Sequence, residues 1–267
     1  MKANIYANFE EILDHEITVP SPVDLVIDYE IPEYLKGFPK IGTTVIFATI
    51  QPEGHFNKLI IDNQDRFDYL LTFIPELLHL PKARFFIGLT AFCKPEINIP
   101  KIFGVSAVFS ARNACPGHSL RHELYKRRDE IKVPKWFYTG ARTGMRSELE
   151  LGYDKRDKQR AMRTMFHIAI DSYDYPNSFS EKLIDPMITN TVPIYWGASN
   201  VDNFFNPEGI LKFTSVDELI KICNSLEERD YYKCQLSRLE NYVKAIEYHD
   251  YADCIQREIN AIFNENA

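Results

Sequence analysis

The chain has 267 residues, 45% hydrophobic and 26% charged, the balance of a folded globular protein of one large or two ordinary domains. Its formal net charge of -7 gives no general attraction to nucleic acid or to an anionic membrane, and no run approaches the ~20 apolar residues of a membrane span. The five cysteines (Cys93, Cys115, Cys223, Cys234, Cys254) are scattered without a C-x-x-C pair, which points to free thiols rather than a disulfide framework or a zinc site. The acidic, polar-interrupted N-terminus does not read as a signal peptide, so the chain is expected to be cytoplasmic, or a soluble domain of something longer.

In chain order, residues 1 to about 100 alternate strand-like and helix-like segments and predict a small α/β domain. NFEEILDHEI reads as a short helix, and DLVIDY (from Asp24) and TTVIFATI (from Thr43) read as strands. RFDYLLTF ends in a strand, PELLHL reads as a turn of helix, and ARFFIGLTAF (from Ala83) as another strand. The loop QPEGHFN places Glu53 and His55 together after the strand ending at Ile50, a position suited to acid–base chemistry. A solvated loop with incidental polar residues is the plainer reading. CKPEINIPKI, around Cys93, has two prolines and neither period; it is expected to link a domain of residues 1–100 to one of 101–267.

KIFGVSAVFS then reads as a strand, ARNACPGH as a polar loop, and SLRHELYKRRDEI as a helix with Arg121 in its first turn. A guanidinium there, beside free backbone N–H groups, suits an anionic phosphate. Arg127 and Arg128 read as a solvated face paired with Asp129 or Glu130. KWFYTG is a short strand and YDKRDKQRAMRTM a basic helix with a solvated face. The stretch Phe166 to Phe213 forms a β-loop-α-β unit. FHIAI is a buried strand, SEKLIDPMITN a helix with Leu183, Ile184, Met187 and Ile188 on one face, and TVPIYW a strand closed by Gly197. Glu181 and Lys182 open that helix. A lysine is unfavourable at a helix N-terminus unless an anion sits there, and a neighbouring glutamate can accept hydrogen bonds from a ribose diol. A capping box from Ser178 to Glu181 would explain the glutamate without a ligand, but leaves Lys182 unexplained. From Ser215 onward the chain reads as amphipathic helices in which Cys223, Cys234 and Cys254 are packing residues.

The stretch FHIAIDS…SFSEKLIDPMITNTVPIYWGASNVDNFFNPEGILKF resembles the donor-binding motif of the α-1,3-fucosyltransferase family. The matches are the E-K pair (Glu181, Lys182), TVPIYWG (Thr191 to Gly197) and FNP (Phe205 to Pro207). Upstream, SARN, Arg121, YTGAR and the segment after Tyr153 fall in the family's order, so the resemblance covers roughly Ile102 to Phe213.

The resemblance implies a GT-B glycosyltransferase: two Rossmann-like α/β domains facing across a cleft, with C-terminal helices, the second domain holding a nucleotide-sugar. Carried over residue by residue, Arg121 and Lys182 meet the donor's diphosphate and Glu181 its ribose. With no D-x-D in the sequence, the expectation is inverting transfer to a glycan acceptor without a required metal or cofactor, the departing charge being met by Arg121 and Lys182. The family's E-N pair is Asp171-Ser172 here, and its aromatic residue three before the glutamate is Ser178. These positions lie near the base and sugar in the family, so the donor stays open between GDP-fucose and a UDP-sugar such as UDP-xylose or a UDP-hexose. The family's N-terminal base is displaced here; Glu53 is the first candidate, with His55 and Asp62 behind it. A non-catalytic nucleotide-sugar-binding module is a rival that the displaced base motivates; a nucleic-acid binder using the basic clusters is disfavoured by charge.

Overall fold

The computed structural model describes residues 1–7, 16–37, 42–50, 56–140, 149–151 and 155–265. The chain divides into two units, Met1–Leu89 with Asp250–Ala267, and Thr90–His249. Glu53, His55 and most of the expected helix in NFEEILDHEI lie outside the described residues.

Unit 1 contains strands β1 (Asn4–Tyr6), β2 (Val23–Ile27), β3 (Thr44–Ala48), β4 (Tyr69–Thr72) and β5 (Ala83–Phe85), with short helices α1 (Ile31–Tyr34) and α2 (Asn57–Asp62). The strands form one parallel sheet in sequence order. Parallel strands are covered on both faces, which is why β2 is buried at all five positions. Its one carboxylate, Asp24, is satisfied by Asn4 Nδ2 and Tyr34 Oη, both at 2.7 Å. Val23, Leu25, Ile27, Ile46, Ala48 and Leu71 join a core completed by Tyr251, Ile255, Ile259 and Ile262 of the C-terminal helix Tyr251–Glu265. That helix therefore belongs with the N-terminal sheet and not with a second domain of residues 101–267, the division the sequence suggests. Its apolar spacing shows that it needs a partner but not which one. The strand expected from Ala83 is only three residues long, and PELLHL forms successive turns.

Unit 2 contains β6 (Ile102–Phe109), α3 (Pro116–Arg127), β7 (Lys135–Gly140), β8 (Leu149–Leu151), β9 (Thr164–Ile170), α4 (Glu181–Ile188), β10 (Val192–Trp196), β11 (Leu211–Lys212), α5 (Val216–Ser225), α6 (Glu228–Lys233) and α7 (Gln235–Ile246). The sheet is parallel throughout, in the order β11-β10-β9-β6-β7-β8. The chain runs outward from β6 to β8, then returns to the other side of β6 for β9 and its successors. This is the doubly wound order, and its direction reverses between β6 and β9. On one face Val105, Ala107, Phe109, Phe166, Ile168 and Ile170 pack with Leu219, Cys223 and Tyr231. On the other, Ser106 Oγ meets Ala161 O at 2.6 Å and His167 Nδ1 at 2.8 Å.

Two expectations in this unit change. The basic segment Lys155–Arg163 is a 3-10 helix rather than an α-helix, and Lys158 within it is buried against Asp185 of α4 at 2.7 Å. The segment after Cys93, expected as a linker, is sewn to α4: the Phe92 and Cys93 amides donate to Asp185 Oδ1 at 2.8 and 2.9 Å, and Glu96 N–H to Ile188 O at 2.8 Å. Arg238 of α7 stacks on Tyr231 at 3.6 Å and donates to Asn190 Oδ1 at 2.6 Å, which pins the turn between α4 and β10.

Candidate functional site

At a switch point the loops leaving two adjacent strands part in opposite directions and leave a crevice at the strands' carboxyl ends. Here those strands are β6 and β9, and the helices that follow them are α3 and α4. Pro116 and Gly117 open α3, a suitable start because proline at the first helical position is preorganised and has no N–H to leave unpaired. Gly117 N–H donates to Ser172 O at 2.9 Å, which stitches the start of α3 to the loop after β9. Arg121 is therefore in the second turn, not the first as its spacing from Ser119 suggested. Its side chain is 9% exposed, and Nε returns to Gly117 O at 3.2 Å. Its Nη2 is buried with no hydrogen-bond partner among the described residues.

On the β9 side, Asp171 is buried and its carboxylate ties three elements together. It accepts from Ser180 Oγ and, at 2.7 Å, from Tyr195 Oη of β10, while its amide donates to Trp196 O at 2.8 Å. Burial pushes the Asp171 carboxyl above the ordinary range, against the pull of Lys182 and these hydrogen bonds. Tyr195 Oη also accepts from Ala198 N–H at 2.8 Å, and a Cβ on Gly197 would lie 2.2 Å from it. The Y-W-G sequence is thus a local device: the tyrosine reaches Asp171 and the glycine makes room.

Ser180, not Ser178, caps α4, accepting from Lys182 N–H at 3.3 Å. The expected Ser178–Glu181 box does not form; Ser178 N–H bonds Tyr175 O at 3.1 Å instead. Lys182 Nζ folds over the helix start to Glu181 Oε1 at 2.8 Å and Ser180 Oγ at 3.2 Å. Burial opposes ionisation of Glu181, but Lys182 and Lys158 overcome it and hold the carboxyl down at about 2. Asn177, at φ 63, and Asn200 clasp the loop through bonds of 2.8 and 2.7 Å. Phe179 is buried against Phe204, Phe205 and Tyr248, so Phe205 of the F-N-P match anchors this loop.

The structure brings Arg121, Asp171, Ser172, Ser178, Glu181 and Lys182 to one end of the unit 2 sheet. Asp171 serves there through Ser180 and Tyr195, and Ser172 through its carbonyl. Sequence reasoning missed Gly117, His118, Lys158, Ser180 and Tyr195. A Pro-Gly pair opening a helix was the available signal for Gly117; the others are visible only through contacts made in the fold. In unit 1, Asp62 pairs with Lys58 at 2.6 Å on an exposed helix face, and Asp28 Oδ1 accepts from Ile50 N–H at 2.9 Å, just before the segment holding Glu53. Among the described residues no group of three His, Cys, Asp or Glu side chains is placed to hold a metal ion, and no helix is long and apolar enough to cross a membrane.

No protein-family model matches the chain. It is 31% identical over 74 residues to the alpha-(1,3)-fucosyltransferase FucT of Helicobacter pylori, covering 26% of this chain and 16% of that protein. It is 31% identical over 68 residues to a fucosyltransferase-named protein of Acanthamoeba polyphaga mimivirus, covering 24% of this chain and 11% of that one. The matched stretches thus span well under a fifth of these relatives. Among solved structures, an alpha1,3-fucosyltransferase with GDP-fucose matches at a TM-score of 0.56 and 17% identity, over 91% of this chain and 77% of that one. Over about a quarter of its length the chain is similar in sequence to α-1,3-fucosyltransferases, and its fold is GT-B. The fold is shared more widely than the fucosyltransferase-like sequence. Anabaena HepE in complex with UDP-glucose matches at a TM-score of 0.62 and 13% identity, over 91% of this chain and 79% of that one.

Proposed function

We propose that this fucosyltransferase-like chain is an inverting glycosyltransferase that moves a sugar from a nucleoside diphosphate donor to a hydroxyl of a glycan acceptor, without a required metal. The observation that carries this reading is the buried Arg121 guanidinium, whose unpartnered Nη2 lies at the switch point shared with Lys182. A buried polar hydrogen left without a partner costs about 1–3 kcal/mol, and an anionic ligand recovers that cost. In the reaction the acceptor oxygen attacks the anomeric carbon as the bond to the diphosphate breaks. Arg121, Lys182 and the helix-start N–H groups meet the charge that collects on the leaving group. Glu181 faces the ribose, and Glu53 of unit 1 takes the acceptor proton, with His55 as the alternative base.

The base and sugar are read from the loop carrying Ser172 and Ser178, with GDP-fucose as the first candidate donor and a UDP-sugar as the second. A thermal-shift panel of GDP, UDP, CDP and TDP tests both. Stabilisation by GDP supports the fucose reading, and stabilisation by UDP alone replaces it with a UDP-sugar. No shift with any of the four would remove the transferase reading altogether. With the donor in hand, Arg121→Ala and Lys182→Ala are each expected to lower kcat about 10²–10³-fold. Loss of transfer in Glu53→Gln, with donor binding intact, would identify the base.

A further inference from the structure

We propose that His118 is a further ligand for the donor's diphosphate, offering Nε2–H as an uncharged hydrogen-bond donor beside Arg121 and Lys182. The proposal rests on the donor site described above and adds a residue to it. His118 is the third residue of α3, three before Arg121, so the two side chains share a face of the helix. The ring is half-buried, and its Nδ1 is 3.0 Å from the Ala114 amide. A backbone N–H can only donate, so Nδ1 is the acceptor and the single ring proton is on Nε2. That Nε2–H has no partner among the described residues.

The charged neighbours that act on this ring are Arg112 from the loop, Arg121 from its own helix and Lys182 from α4; His122 is turned to Arg112 O at 3.0 Å. Burial and these cations together hold His118 down at about 4, and protonating Nδ1 would also break the bond to Ala114. The ring thus stays neutral where a cation would be repelled, yet has an N–H to give. Arg121, nine-tenths buried with Nη2 unpartnered, is the independent sign that this helix start awaits an anion.

A purely structural role, the clamp on Ala114, is separable from this one because asparagine and glutamine mimic different ring nitrogens. His118→Asn keeps an acceptor near Nδ1 and loses the distal donor; His118→Gln keeps a donor near Nε2 and loses the clamp. Titrations would compare the nucleoside diphosphate that stabilises the wild type with the matching free nucleoside. The expected result is a five- to tenfold loss of diphosphate affinity in His118→Asn, unchanged nucleoside affinity and melting temperature, and near-wild-type diphosphate affinity in His118→Gln. Wild-type diphosphate affinity in His118→Asn would overturn the proposal. So would parallel losses of nucleoside and diphosphate affinity in both variants, which would reduce His118 to a clamp. A wild type that binds no nucleoside diphosphate would instead sink the transferase reading beneath it.

Discussion

Gly117 has no room for a side chain. A Cβ there would lie 1.7 Å from Asp171 O and 3.0 Å from Ser172 O, both backbone atoms that cannot swing aside. Gly117→Ala must therefore part α3 from the loop after β9, and with it Arg121 from Asp171. The expected cost is about 3 kcal/mol, at the top of the range for overpacking, with nucleotide binding lost even where the fold survives. Urea melts and titration of the purified variant check both parts. Asp171 acts in the same place through hydrogen bonds. Asp171→Ala leaves Ser180 Oγ and Tyr195 Oη without their acceptor and is expected to weaken donor affinity about tenfold. A variant that binds donor as the wild type does would show that the tie is dispensable.

At the scale of elements, the pieces that sequence predicted best were those whose pattern is local. β9 and β10 are short apolar runs, and α4 has four apolar residues on one face, so their existence and order followed directly. The basic segment before β9 does not present the solvated face its charge run suggests, because Lys158 is buried and neutralised by Asp185 of α4, a partner that a local pattern does not reveal. Spacing alone points to Ser178 as the cap of α4; Ser180 holds that place and donates its Oγ–H to Asp171 at the end of β9. Glu181 and Lys182 are legible in the sequence as charges at a helix start, and Asp171, Ser172 and Ser178 through the family resemblance, whereas the place of Gly117 depends on packing against Asp171 O and the role proposed for His118 on its tautomer.

Between β6 and β9, His167 is buried beside Ser106, and burial together with Lys158 and Lys101 holds it down at about 3. A histidine depressed in the fold stabilises fully above its unfolded pKa of about 6.5, and that stabilisation is lost as pH falls through the folded value. The wild type should lose up to about 1.4 kcal/mol per pH unit through this group as pH falls from 6.5 toward 3. The difference in unfolding free energy between wild type and His167→Asn, followed from pH 7 to 4, isolates the slope; a flat difference would refute it.

In the whole molecule, unit 1 is built from two distant parts of the chain. Burial of a large apolar side chain contributes about 1.5–3 kcal/mol, so Tyr251, Ile255, Ile259 and Ile262 together rival the ~5–15 kcal/mol net stability of an ordinary domain. A chain ending at His249 is expected to keep unit 2 folded, with its own core and with its two ends joined by Ala91 N–H to His249 O at 2.8 Å, and to lose unit 1. Limited proteolysis should then leave a fragment near residues 90–249. Survival of residues 1–89 to the same degree would count against the C-terminal helix as their cover.

The same division sets a timetable on the ribosome. The first sheet emerges early, but the helix that covers one of its faces is made only after all of unit 2. At about 5–20 residues per second that interval is roughly ten to thirty seconds. During it unit 2 can complete its own core while Val23, Leu25, Ile27 and their neighbours wait bare, an aggregation hazard that a nascent-chain chaperone would be well placed to shield. Ribosome-stalled chains ending before Asp250 should show unit 2 resistant to protease and the N-terminal sheet still open to it.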